Sequence, residues 1–256
     1  MTRPTKITEH EFFMLTPGQR RAHNAEWVAW DATPEGQAER AEREARERAR
    51  YDALLPAAIE RVLRDGVGMQ NIGLPPRALD IVLVGLTETP AVAAVKGCTD
   101  IVVLLSPPGT GKTVAGCERV REYIATPRNW TPRTDYDDEH RRTVPHFVGK
   151  LPTWTTAAAL ARLDHFSDAA LRPVMDAPLL VVDDLGAEFL DAKGFFGSLF
   201  DELIDCRYAG KLPTVITTNL DAAAFAARYG LRVVDRIREG GRFVGCGNAS
   251  LRRAST

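Results

Sequence analysis

Residues 101–114 read IVVLLSPPGTGKTV, five aliphatic residues in a row followed by a turn rich in proline and glycine, then a lysine and a threonine that open a helical pattern. That order narrows the fold. A run with no polar member buries both of its faces, as a strand does inside a parallel sheet covered by helices, and parallel strands need crossover connections between them. Two further runs, PLLVVDD at 178–184 and LPTVITTN at 212–219, also end in polar residues, while PHFVG at 145–149 and RFVGC at 242–246 read as shorter strands. Between them, apolar spacing of three and four residues predicts helices at 113–125, 155–168, 194–206, 221–228 and 232–238. ALDIVLVGL (78–86) and TPAVAAVKGC (89–98) read as two helices ahead of the first strand. The pattern predicts an α/β sandwich around a central, mostly parallel five-stranded sheet.

The first third has a different texture. Residues 1–33 scatter Phe12, Phe13, Trp27 and Trp30 among polar neighbours and read as a partly ordered arm. Thr33 is placed as an N-cap and Pro34 as the first residue of a helix whose Ala38, Ala41, Ala45 and Ala49 form a thin apolar stripe leading to Leu55. The Arg and Glu residues between 39 and 50 fit two readings, a solvated face laced by i,i+4 pairs and an arm that binds a partner. Pro56 is expected to divide this helix, and Gly66 and Gly68 to end it. The boundaries that follow are a helical partner-binding region at 1–69 and an α/β core at 70–256.

Charge and cysteine content exclude several classes. Thirty-three Lys and Arg stand against thirty-four Asp and Glu, a net charge of -1, so any contact with nucleic acid has to rest on a local patch. The four cysteines have no CxxC spacing, which favours free thiols over a zinc site or a disulfide framework. With no 18-residue apolar run and no apolar stretch at the start, the expectation is a cytoplasmic protein that does not enter the membrane.

The polar ends of the strands carry the chemistry. A strand feeding a helix through a glycine turn offers successive backbone N–H groups and the positive helix end to an anion. Gly109 and Gly111 let the turn wrap closely, Lys112 can neutralise β- and γ-phosphates, and the Thr113 hydroxyl can hold Mg²⁺. The strict form GxxxxGK[ST] would place a glycine where this chain has Ser106. Asp183 and Asp184 are adjacent carboxylates at the end of a buried run, costly without a counter-charge, so Asp183 is a candidate Mg²⁺ ligand and Asp184 a candidate for orienting or deprotonating a water. Glu188 is a rival for that last task. Asn219 can bond the same water or a γ-phosphate. Arg232 and Arg236, four apart on a helix, fit both a solvated face and a guanidinium offered to a phosphoryl group.

Together SPPGTGKT, LLVVDDLGAE, VITTNL and YGLRVVDRI resemble the AAA+ ATPases of the DnaC/IstB/DnaI-like group, which contains bacterial and phage replicative helicase loaders and transposition helper ATPases. The resemblance spans about residues 70–246, and NIGLPPRALD (71–80) looks like the segment that borders adenine. It implies a P-loop NTPase core with ATP and Mg²⁺ as cofactors. ATP binding would fall to Pro108, Gly109, Thr110, Gly111, Lys112, Thr113 and Val114. Metal would be held by Thr113 and Asp183, water activated by Asp184, and Asn219 would be the first sensor. Arg236 matches an arginine finger acting on a neighbouring subunit, and Arg232 a second arginine that contacts nucleotide. Lys150, Trp154 and Arg162 fall where members of the group grip single-stranded DNA, although an ordinary helix explains them equally. No helical lid is expected after the last strand. Aspartate at 184, where many AAA+ proteins have glutamate, implies slow hydrolysis. The polar stretch 126–143 is not implied by the group and reads as a loop.

Three functions remain open at this level. One is an ATP-controlled loader that holds a replicative helicase through its N-terminal helices, binds single-stranded DNA through its core and self-associates. The second is a transposition helper assembling on duplex DNA. The third is a binding module that uses nucleotide to set its shape with little turnover.

Overall fold

In the computed structural model, residues 2–76, 78–79, 88–137, 142–164, 167–189, 194–247 and 249–251 are described. By packing the chain divides into two units, Met1–Pro56 and Ala57–Thr256. The division lies inside a long helix, N-terminal to the boundary at 69/70 expected from the sequence. The helix expected at 78–86 lies for the most part outside the described residues.

In the first unit, α1 (Glu9–Met14) and α2 (Pro17–Asp31) each begin with a capping box, Thr8 with Glu11 and Thr16 with Gln19. The side-chain oxygens satisfy N–H groups that a helix start leaves unpaired, so two ordered helices stand within the stretch whose mixed composition suggested a partly ordered arm. The Phe12 ring lies tilted against His23, which meets Trp27 edge to face, and Trp30 is buried. Helix α3 (Pro34–Arg64) starts at Thr33 as expected, whose hydroxyl accepts the Gly36 N–H at 3.1 Å. It then runs through Pro56 without ending there. Proline removes one helical donor, and this helix continues beyond it.

The second unit is built on β1 (Ile101–Leu105), which lies between β6 (Thr214–Thr218) and β7 (Gly241–Gly245) in a five-stranded sheet whose other strands are β4 (Thr153–Thr156) and β5 (Leu180–Leu185), in the order β4-β5-β6-β1-β7. Every pairing in that sheet is parallel. Successive side chains of a strand point to opposite faces. Val102 and Leu104 accordingly pack with Val92 and Val95 of α5 (Pro90–Val95) and with Ala115, Val120 and Ile124 of α6 (Lys112–Ala125). Met69 of α4 (Gly66–Asn71), Ile72 and Leu74 join this layer, as do Ile59, Val62 and Leu63 from the last turns of α3. Ile101 and Val103 face the other way, onto Phe196, Phe200 and Leu203 of α9 (Phe195–Ala209) and Val233 and Ile237 of α11 (Leu231–Gly240). Two apolar layers with the sheet between them explain why the first strand contains no polar residue.

The fifth strand is not the one expected. PHFVG belongs to β3 (Arg142–Gly149), which pairs antiparallel with β2 (Trp130–Asp137) in a separate two-stranded ribbon. The stretch read as a loop at 126–143 therefore holds a 3₁₀ turn and a strand. Pro132 and the lack of alternating apolar residues hid it, because alternation marks a strand only when one face joins a core. The ribbon is anchored where the Trp130 indole donates to the Ile124 carbonyl at 2.7 Å. One edge of the main sheet is instead β4 (Thr153–Thr156), which runs into the start of the segment expected to be helical at 155–168. TWTT is β-branched and aromatic throughout, and the helix begins only after it, with Thr156 capping the short α7 (Ala157–Leu160). The edge is covered in part, since the Trp154 N–H donates to the Ile72 carbonyl at 2.6 Å.

The remaining elements follow the expected order: α8 (Asp168–Met175), β5 (Leu180–Leu185), α9 (Phe195–Ala209), α10 (Ala222–Tyr229) and α11 (Leu231–Gly240). Among the described residues no helix is long and apolar enough to cross a membrane.

Trp154 corrects a site assignment as well as a strand. Its ring is part of the core, 2% exposed, and fills the space that a side chain at Gly116 of α6 would need, 3.0 Å from the ideal Cβ position. A buried ring cannot stack on a DNA base. Trp154→Ala is expected to destabilise the second unit by about 3–5 kcal/mol, the range for emptying a buried aromatic site. Urea unfolding followed by circular dichroism checks this, and a change under 1 kcal/mol would contradict the packing.

Candidate functional site

The C-terminal ends of β1, β5 and β6 open into a cavity of about 900 Å³. The turn after β1 forms its floor. Gly109 and Gly111 both take left-handed backbone angles, φ 87° and 88°, which a residue with a Cβ adopts only under strain. Gly111 is the N-cap of α6, so the N–H groups of that helix's first turn face the cavity. Pro108, Gly109, Gly111, Lys112, Thr113 and Val114 all line it. Thr110 does not. It is buried, its hydroxyl donating to the Pro107 carbonyl at 3.1 Å and meeting the Ser106 hydroxyl at 2.6 Å. Ser106, which departs from the strict motif, thus braces the turn from inside.

Lys112 is 7% exposed, and its ammonium donates to the carbonyls of Ser106 (2.6 Å) and Pro107 (2.9 Å) and to Asn219 Oδ1 at 3.0 Å. Asn219 in turn donates through Nδ2 to Asp184 Oδ1 at 3.2 Å. Asp183 is 3% exposed and accepts from Thr113 Oγ1 at 3.1 Å and Thr217 Oγ1 at 2.7 Å. The structure therefore brings together Lys112, Thr113, Asp183, Asp184 and Asn219, residues from three separate sequence motifs. Thr217 joins them, a residue the sequence marked only as the polar end of a strand. Glu88, Thr89, Pro90 and Leu251 complete the lining among the described residues, and no motif pointed to them. The Leu251 N–H donates to the Gly109 carbonyl at 2.8 Å, which places Leu251 against the glycine turn.

The donor set suits a hard cation carried by phosphate. Mg²⁺ characteristically takes one or two protein oxygens and completes its shell with phosphates and water. The Thr113 hydroxyl and the Asp183 carboxylate, in contact at the cavity wall, are such a pair. Among the described residues no group of three or more His, Cys, Asp or Glu could hold a metal by itself.

Glu188 is not among the residues that line the cavity. Its side chain is fully buried, accepting from the Gly186 N–H at 2.7 Å, from Arg228 Nε and Nη2 at 2.9 and 2.8 Å, and from the Tyr229 hydroxyl at 2.7 Å. Burial, together with this bond to a carboxylate, pushes the Tyr229 hydroxyl far above its usual range and keeps it a donor.

The arginines of α11 lie outside the cavity lining. Arg236 Nε donates to Asp205 Oδ1 at 2.8 Å and its guanidinium sits over the Tyr208 ring, while Arg232 pairs with Asp201 at 2.9 Å and also with Asp205. The Arg236 hydrogen bond leads in holding the Asp205 carboxyl below its ordinary range. Arg232, expected to contact nucleotide, is instead engaged with α9 of its own chain. Of the residues expected at DNA, Lys150 and Arg162 are exposed. Lys150 lines an open cleft with Leu151, Asp168 and Arg172 that includes neither Arg162 nor Trp154.

The sheet order, with the glycine turn following β1, is that of an AAA+-like P-loop core. No family model matches the chain, and no curated protein matches it. Among solved structures it is similar to a DnaC helicase loader, at 24% identity and a TM-score of 0.43 over 67% of this chain and 89% of that one. It is similar to DnaI at 19% identity and a TM-score of 0.48, over 70% and 94%. AMPPCP-bound DnaA from Aquifex aeolicus aligns at 14% identity and a TM-score of 0.43, over 65% and 49%. These likenesses are distant.

Glu188→Ala leaves Arg228 and Tyr229 facing an empty, partly dry site. It is expected to lower stability by about 3–5 kcal/mol, as for removing one member of a buried ion pair, while the folded fraction keeps its rate of nucleotide turnover. Denaturant titration alongside a phosphate-release assay checks both halves; a rate loss of orders of magnitude at unchanged stability would restore Glu188 as the base.

Proposed function

We propose that this chain is an ATP-dependent loader of a replicative DNA helicase, with the ATPase in the second unit and the helicase held by the N-terminal helices. The observation that carries the ATPase reading is the convergence of Lys112, Thr113, Asp183, Asp184 and Asn219 on one cavity. When bound, Mg²⁺·ATP would supply the phosphoanhydride and a counter-charge for the acidic pair. The glycine turn and the start of α6 would cradle its phosphates, Lys112 would exchange its carbonyl partners for phosphate oxygens, and Thr113 with Asp183 would hold the metal. Asp184, held by Asn219 and exposed to the cavity, would orient or deprotonate the attacking water.

The loader reading adds the resemblance of the sequence motifs to the DnaC/IstB/DnaI-like group and a separate helical unit that offers apolar surface. Phe13, Met14 and Val28 are 61%, 75% and 72% exposed there. Exposed apolar side chains on a small helical unit are what a partner surface requires. In an assembly, Arg236 would reach a neighbouring subunit's phosphates only by leaving Asp205. Single-stranded DNA would be met by the core, through Lys150 and Arg162 rather than Trp154.

Two measurements test the parts separately. Asp184→Asn is expected to cut ATP hydrolysis by about a hundredfold or more, the scale of general-base catalysis, with ATP affinity retained, whereas Lys112→Ala is expected to abolish binding. Phosphate release and a fluorescent-nucleotide titration read these. The triple change Phe13→Ala, Met14→Ala, Val28→Ala is expected to abolish co-elution with the replicative helicase while hydrolysis persists. Filaments on duplex DNA with no helicase complex would favour the transposition helper.

A further inference from the structure

Strand β5 does not run straight into its polar end. Val182 lies opposite Ile216 on β6, and the next matched pair is Leu185 opposite Thr218, so Asp183 and Asp184 together face the single residue Thr217. Two residues against one make a β-bulge, which interrupts the ladder and re-aims side chains. Asp184 takes φ 61°, a left-handed angle unusual for a residue other than glycine.

A side chain replaces the lost ladder bonds. Thr217 Oγ1 accepts the Asp184 N–H at 2.9 Å and donates to Asp183 Oδ1 at 2.7 Å. One hydroxyl thereby fixes the carboxylate of the first aspartate and the backbone of the second. On the far side of the bulge, Thr218 Oγ1 donates to the Leu185 carbonyl at 2.6 Å. Thr217 is 2% exposed, so water does not compete readily for its hydroxyl.

We propose that Thr217 is a positioning residue whose hydroxyl sets the directions of the Asp183 and Asp184 carboxylates; this rests on the ATPase reading above. Valine tests it directly, because it keeps the branched shape and burial of threonine and removes both bonds. For Thr217→Val, kcat for ATP hydrolysis is expected to fall about tenfold to a hundredfold, the scale of an ångström of misplacement. KM should stay within about twofold, since the lysine and the glycine turn are untouched. Thr217→Ser, which restores the hydroxyl, is expected to recover the wild-type rate.

A second readout needs no ligand. Hydrogen exchange of the Asp184 amide in the full chain is expected to speed up in Thr217→Val and to return to the wild-type rate in Thr217→Ser. Equal turnover and equal exchange in wild type and Thr217→Val would overturn the proposal, as would a serine variant that fails like valine, because shape rather than the hydroxyl would then matter. Should the wild-type chain hydrolyse no ATP, the ATPase reading falls, and amide exchange alone still decides whether Thr217 holds the pair.

Discussion

A parallel sheet covered on both faces leaves solvent only at the ends of its strands. In this chain that constraint decides where chemistry can sit. Val102 and Leu104 are sealed by one helical layer and Ile101 and Val103 by the other, so the polar residues that can meet solvent follow β1 and lie at the C-terminal ends of β5 and β6. Because the strands are parallel, those edges coincide. The glycine turn, the acidic pair and the threonine–asparagine end of β6 meet as a result of topology, although more than a hundred positions separate Lys112 from Asn219.

What the site gains from the core is rigidity around unlike charges. A buried ammonium and a buried carboxylate are each costly in an apolar setting unless hydrogen bonds replace water. Backbone carbonyls accept from Lys112 and threonine hydroxyls donate to Asp183, so neutral groups take over part of the hydration that burial removes from each charge. The same principle, applied to Glu188 with Arg228 and Tyr229, yields a closed knot with no access to the cavity. Two acidic residues a few positions apart thus have opposite fates, one open to ligand and one structural.

The legibility of these features in the sequence follows from their surroundings. The four core strands β1, β5, β6 and β7 were readable because aliphatic runs ending in polar clusters have few other uses. Strand β4 was not, since four residues of TWTT run into the alanine-rich start of a helix and the boundary lies in a single cap, Thr156. In the β2–β3 ribbon only PHFVG was legible as a strand, while β2 escaped because Pro132 and its polar neighbours show no apolar alternation. Trp154 beside Lys150 fitted a nucleic-acid patch as well as a core position, and only its fit against Gly116 separates the two. Glu188 was ambiguous because its partners lie forty positions on, while Thr217 gave no signal because its role depends on a bulge in another strand.

Asn219 carries a consequence of its own. A carboxamide has one accepting end and one donating end, and here the oxygen meets the ammonium of Lys112 while the nitrogen meets the carboxylate of Asp184. Turned by half a rotation, the group would set like poles together on both sides, so its orientation is dictated by charge rather than by packing. Aspartate has nearly the same shape and would still face the lysine, but its second oxygen would lie against Asp184. Size alone would therefore be a poor guide to which residues this position tolerates, and a neutral, polar, two-ended side chain is the only kind that serves both neighbours at once.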